Sequence, residues 1–192
     1  MIQTKDVSQE TLNLVVKLHK DHYPDNHATK FWPKKLLHRY MEIFSESDNT
    51  IICITSDNKI LGYAIYGCNI ELTINTFARE NLLQIILFYL SSPHFAIKLM
   101  SARIRSTVRR LRTTTHNSKD WILLSICTDR SDPNIAKTLI EKFEKDGSKK
   151  GFNICKLFVK KSNDVAIKFY LKHGYNILSI IDSETCIMAK SI

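Results

Sequence analysis

Acidic residues are scarce in this chain: 19 Asp and Glu stand against 28 Lys and Arg in 192 residues, a net charge of +9 with a pI near 9.3. That balance points to an anionic partner, which leaves nucleic acid, a membrane surface or a phosphorylated small molecule. Helix-turn-helix, RNP and zinc patterns are all missing, so nucleic acid is the weakest of the three. Long hydrophobic runs are missing too. The longest, Leu82 to Leu90 around Gln84, is half of the ~20 residues that cross a bilayer, and it predicts a buried helix. The first twenty residues have neither the basic start nor the unbroken apolar core of a signal peptide, which argues against secretion by that route. Five cysteines (Cys53, Cys68, Cys127, Cys155, Cys186) form no CxxC pair and have no histidine at ligand spacing. No metal site is expected of them. Buried free thiols in a reducing cytoplasm are the reading that fits.

What is present reads as one domain over residues 1–192, with no repeat, low-complexity tract or linker. Ser8 caps a first helix with the stripe Leu12, Val15, Val16 and His19, and a second helix runs from about Pro33 to Phe44. Ile51 to Ser56 and Ile60 to Tyr66 are β-branched runs at hairpin spacing. Residues 68 to 120 read as helical, with Phe77 to Leu90 and Pro93 to Arg112 separated by Ser91-Ser92-Pro93, a helical insertion at about 70–118. Strand, helix, strand, helix, strand, strand then follow from Trp121. This alternation calls for an α/β (α+β) sheet flanked by helices.

Two segments carry the chemistry. In NDVAIKFYLKHGY, Asn163 is a favoured N-cap, Val165, Ala166, Phe169 and Tyr170 fall at helical spacing, and Gly174 can take the left-handed conformation that ends a helix. In SICTDRSDPNIAKT, Asp132 can cap a helix with Pro133 at its first position. The amides of Asn134 to Lys137 then form a site for an anion. At this point Tyr170 is either a core tyrosine with a satisfied hydroxyl or a proton donor.

Asn163, Ala166, Tyr170, Gly174 and Tyr175, with the earlier helix Asn134 to Glu141, resemble the C-terminal half of the GNAT superfamily of acyl-CoA N-acyltransferases. The two helices and hairpin before them are similar to the family's N-terminal half. The resemblance implies a single GNAT-like domain with a mixed, mostly antiparallel sheet. It also implies that acetyl-CoA is the co-substrate, its pyrophosphate on Asn134, Ile135, Ala136 and Lys137 and its pantetheine arm along Ile126, Cys127 and Thr128. Asn163 would contact that arm, and Tyr170 would protonate the departing sulfur after direct attack by an amine. The family's phosphate loop reads (Q/R)-x-x-G-x-(G/A), where this chain has Ser131-Asp132-Pro133-Asn134-Ile135-Ala136. Asparagine tolerates positive φ, which would keep the turn at Asn134, but Asp129 and Asp132 bring negative charge to it.

The implied activity is transfer of an acetyl group to a primary amine of a small molecule, with a nucleotide-linked amino sugar as one candidate. A non-catalytic GNAT-fold module that binds acyl-CoA or a protein is the alternative, favoured by the altered loop. Arg105, Arg109 and Arg112 form a cationic helix face that reads as a solvated surface, a diphosphate site or a membrane contact. His22, Asp25, His27 and Glu71 are candidates for the general base, and His173 is expected to serve a helix C-terminus. A homodimer is a candidate assembly.

Overall fold

The computed structural model describes residues 2–4, 8–25, 27–56, 59–92, 120–181 and 184–192. The expected helix from Pro93 to Arg112, with its Arg105, Arg109 and Arg112 face, lies outside the described residues.

Seven strands form one sheet in the order β1-β2-β3-β4-β5-β7-β6. They are β1 (Ile2–Thr4), β2 (Thr50–Ser56), β3 (Lys59–Gly67), β4 (Trp121–Thr128), β5 (Ile154–Lys160), β6 (Asn176–Ile180) and β7 (Thr185–Ser191). All neighbours are antiparallel except β4 and β5. The parallel step needs a crossover, and α5 (Pro133–Lys149) supplies it. The other helices are α1 (Gln9–His22), α2 (Lys34–Glu46), α3 (Ile70–Glu80), α4 (Leu82–Ser91) and α6 (Asp164–Lys172), with a short 3-10 turn at Ala28–Phe31.

The sheet divides the core in two. On one face Leu12, Val15, Val16, Leu36, Leu37, Met41 and Phe44 of α1 and α2 pack on Ile51, Cys53, Tyr63 and Ile65. On the other, Leu139, Ile140 and Phe143 of α5 join Trp121, Leu123, Leu157, Tyr170 and Tyr175. Gly62 lets α5 approach: a Cβ there would come within 2.7 Å of Ile135 Cγ2.

Local signals fall where the sequence puts them. The Ser8 and Asn163 side chains cap α1 and α6, accepting from Thr11 N and Ala166 N. Gly174 sits at φ 84° and ends α6 with Tyr175 N bonded to Tyr170 O, a Schellman closure. His173 Nδ1 donates to Phe169 O at 2.7 Å, at that helix's C-terminus. Four of the five cysteines are buried, Cys68 is half-buried, and all five are free thiols.

Three expectations change. β1 was not foreseen, since three residues carry no readable period. The helix expected from Phe77 to Leu90 is two helices, broken at the buried Asn81, whose backbone and side-chain N–H groups both go to Phe77 O. The stretch Leu82 to Leu90 is a helix but is not buried: Phe88 alone is, while Leu82, Leu83, Ile86, Leu87 and Leu90 face outward. No described helix is long and apolar enough to cross a membrane.

Candidate active site

β4 and β5 pair only through Trp121↔Cys155, Ile122↔Lys156 and Leu123↔Leu157. Beyond those three pairs the strands part and open a notch in the middle of the sheet. The register between β3 and β4 slips at the same place, from Tyr66↔Leu123 to Ile65↔Ser125, so Leu124 is an extra, bulged residue. A bulge re-aims the side chains after it. Here it turns both Leu124 and Ser125 to the α1 side, where they line one cavity. The bond from Asp129 N to Leu61 O fixes which amides beyond the bulge are free. Antiparallel ladders alternate by two, so Ser125 and Cys127 bond to β3, and the N–H groups of Ile126 and Thr128 face the notch.

Groups from opposite faces of the sheet come together through this opening. Tyr170 belongs to the α5 side, and burial pushes its phenol above the ordinary range, with the Tyr23 phenol on the α1 side adding to the shift. His27, in the loop after α1, is pushed down to about 4 by burial and by Lys160 at the end of β5. Tyr170 is 6 % exposed, and its hydroxyl makes no hydrogen bond to a described residue. The Tyr175 oxygen is buried with no hydrogen-bond partner among the described residues.

The α1 side of the notch holds a polar network inside an aromatic shell. His19 Nδ1 meets Tyr63 Oη at 2.5 Å, and its Nε2 meets Thr29 Oγ1 at 2.9 Å. Thr29 Oγ1 also meets His27 Nδ1 at 2.8 Å. Ser125 Oγ donates to Tyr23 Oη at 3.2 Å and lies 3.3 Å from Tyr63 Oη. Tyr23 stacks on His19 at 4.0 Å between ring centres. All of these groups except Tyr63, with Tyr40, Met41, Ile65 and Leu124, line a cavity of about 40 Å³, and none of the described lining residues is acidic. Burial pushes His19 down to about 3, helped by His27, Lys20 and Lys30. The site therefore favours neutral groups over cations.

A pH dependence follows. A histidine depressed in the folded state contributes stability above its unfolded value near 6.5, and loses it as pH falls toward the folded value. His19 alone should cost the protein about 2 kcal/mol between pH 6.5 and pH 5. Denaturant midpoints measured at both pH values check this: the wild type should lose stability over that window, and His19→Gln should flatten the curve.

The loop between β4 and α5 is built differently from expectation. The residue with positive φ is Arg130, at 63°, while Asn134 lies in the first turn of α5. Asp132 Oδ1 accepts from both Asn134 N, at 2.8 Å, and Asn134 Nδ2, at 2.9 Å. Asp129 Oδ1 likewise accepts from Ser131 N and Ser131 Oγ, at 3.0 and 2.7 Å. Two carboxylates thus occupy N–H groups that an incoming phosphate would use. Ile135 N is bonded to Asp132 O, and the Ile135 side chain is core. Ala136 is half-buried, and Lys137 is exposed with Glu141 at 3.8 Å.

Ile126, Cys127 and Thr128 thus lie on β4 beyond its last pair with β5, Tyr170 lies in the core on the α5 side, and Asn134 to Lys137 form the start of the crossover helix. Asn163 Oδ1 is committed to its cap. Of the candidate bases, only His27 joins the cluster: Asp25 is exposed and paired with Lys30, and Glu71 is exposed in the first turn of α3. His22 is the last residue of α1 and half-buried. His19, Tyr23, Tyr63 and Ser125 were not singled out. The available signal was polarity in apolar places: His19 on the stripe of α1, and Ser125 within the apolar run of β4.

No family model matches this chain, and no curated protein matches it by sequence. Solved structures match it over its full length. The PaiA N-acetyltransferase of Thermoplasma acidophilum, solved with coenzyme A, shares 18 % identity at a TM-score of 0.60, covering 100 % of this chain and 99 % of that one. The ribosomal-protein-alanine N-acetyltransferase of Brucella melitensis shares 10 % at 0.62, with coverage of 100 and 99 %. An aminoglycoside 6'-acetyltransferase of type Ii shares 13 % at 0.62, with coverage of 100 and 96 %. At such identities the likeness establishes the fold. This chain has the GNAT fold.

Proposed function

We propose that the protein is an acetyl-CoA-dependent N-acetyltransferase that acts on a primary amine of a small molecule. One observation carries the reading: the sheet opens between β4 and β5, and Tyr170 on the α5 side of that sheet keeps a protonated phenol that bonds to no described residue. The β4 edge offers the Ile126 and Thr128 amides to an extended ligand lying in the notch, and these amides would stabilise the carbonyl oxygen as it gains charge. The cavity between Ser125, Tyr23 and His19 receives the amine. The field that keeps His19 and His27 neutral also favours the neutral amine, which is the form that attacks. Nitrogen bonds to the acetyl carbon, the carbon–sulfur bond breaks, and Tyr170 gives its proton to the sulfur. The proton lost by the amine restores the phenol through solvent. A cavity of about 40 Å³ suits the amine end of a small acceptor, such as a nucleotide-linked amino sugar, with the rest of it outside.

The three neighbours in fold named above are acetyltransferases by name, one with coenzyme A bound, which supports the same reading. A second reading, a non-catalytic acyl-CoA-binding or protein-interaction module, is favoured by the Asp129 and Asp132 carboxylates on the loop amides. Thermal unfolding with acetyl-CoA separates them. At a hundredfold excess over Kd, mass action adds about 2.7 kcal/mol, which should raise Tm by roughly 5–10 °C. Release of free coenzyme A with a panel of small amines then identifies the enzyme. A Tm shift without release with any amine would favour the second reading, and no shift at millimolar acetyl-CoA would overturn the first.

A further inference from the structure

The helix α4 carries no charged residue, and the core uses only one of its sides. Asn81, just before it, and Phe88 are buried, with Ile85 and Tyr89 packed beside them. On the opposite side Leu83, Leu87 and Leu90 form a ridge at helical spacing and are 69, 56 and 74 % exposed, with Leu82 and Ile86 next to it. Five exposed aliphatic side chains on one helix are more than scattered surface apolarity.

Beside the ridge runs a groove between α1, α2 and α4, where Lys34, Lys35, His38 and Arg39 with one carboxylate, Glu42, join the neutral Asn13, Asn81 and Gln84. Arg39 is bonded to Glu42, Glu46 and Glu80. Lys34 and Lys35 are exposed and form no ion pair with a described residue. The sequence extends this asymmetry. Residues 81 to 119 contain no Asp or Glu and seven Lys or Arg, so the rest of the chain carries a net charge of only +2.

We propose that this side of the protein rests on an anionic membrane surface, with Leu83, Leu87 and Leu90 entering the boundary between headgroups and acyl chains and Lys34 and Lys35 meeting lipid phosphates. Apolar side chains beside unpaired cations match that surface on both counts. A second copy of the chain matches only the first, because it would bring the same positive charge to the contact. The proposal is independent of the acetyltransferase reading.

Sedimentation of the full chain with phosphatidylcholine vesicles, with and without about 30 % phosphatidylglycerol, tests it. Binding should be at least roughly tenfold tighter to the anionic vesicles and should weaken as salt shortens the screening length. Leu83→Glu/Leu87→Glu should abolish it, and Lys34→Glu/Lys35→Glu should reduce only the salt-sensitive part. The substituted side chains are exposed, so both variants should keep the wild-type far-UV circular dichroism and unfold near the wild-type midpoint, which reports an intact fold. A wild type that stays in solution with anionic vesicles, or a leucine variant that binds like wild type, would overturn the proposal. So would a solution dimer that Leu83→Glu/Leu87→Glu splits without any vesicle binding, which would make the ridge an interface between copies.

Discussion

Tyr170→Phe should lower the turnover number roughly 10²- to 10³-fold and leave the affinity for acetyl-CoA near that of wild type. The ring stays in its packing against Phe169 and Tyr175, with centroids 5.4 and 5.8 Å away, so only the hydroxyl is lost. That hydroxyl bonds to no described residue, so among the described residues its removal strands no buried partner. Fold stability should therefore hold. The loss falls on the chemistry because of the surroundings: burial pushes the Cys127 thiol, on the strand that edges the notch, up to about 12, so a thiolate is disfavoured there. A sulfur leaving into the same surroundings needs a proton more than it would in water, where a thiol titrates near ~8.5. The phenol is raised by the same cause, so it holds its proton throughout the neutral range and meets the sulfur as an acid. The measurement is a kcat and KM split with acetyl-CoA varied at saturating acceptor. Equal turnover in wild type and variant would remove Tyr170 from the mechanism and return it to the core.

The parts of this arrangement that follow local rules are the parts the sequence discloses. Ser8, Asn163, Asp132 with Pro133, and Gly174 each act within four residues of themselves, through one cap or one positive φ, and each sits where those rules put it. The notch does not obey a local rule. It depends on the register of β3 against β4, where Leu124 is extra, and nothing in Trp121 to Thr128 marks that residue as a bulge rather than the next step of a strand. Ser125, Tyr63 and Tyr23 become a site only through that register, which explains why the polar serine in an apolar run was passed over. α4 shows the opposite failure. Its composition says apolar, and apolar is read as buried, but burial needs a partner element, and the described residues cover only its Phe88 side. The loop before α5 was legible in its cap and not in its turn, because the positive φ went to Arg130 instead of Asn134.

That loop sets up the other large effect. Asp129→Asn combined with Asp132→Ser should tighten acetyl-CoA binding by roughly 30-fold at low salt. Both replacements keep an acceptor for the Ser131 and Asn134 groups, so the turn and the cap of α5 should survive with a loss of about 1 kcal/mol or less. What changes is charge. Burial works against the Asp129 carboxylate, but the hydroxyl and amide of Ser131 hold it below the usual carboxylate range, so it stays ionised at any working pH. Two such charges about 5 Å from a pyrophosphate, in a well-hydrated loop, each oppose it by about 1 kcal/mol. The carboxylates also hold the Ser131 and Asn134 N–H groups that would otherwise turn to the phosphates. Because the loop is exposed, added salt should shrink the gain toward a few-fold, and that dependence separates lost repulsion from a rearranged site. Calorimetry at two salt concentrations is the measurement. A gain near 30-fold would mean that the wild type holds coenzyme A weakly by construction, with the two aspartates as the cause. Unchanged affinity at low salt would mean that the pyrophosphate does not lie at the start of α5, and the notch would then have to be entered from elsewhere.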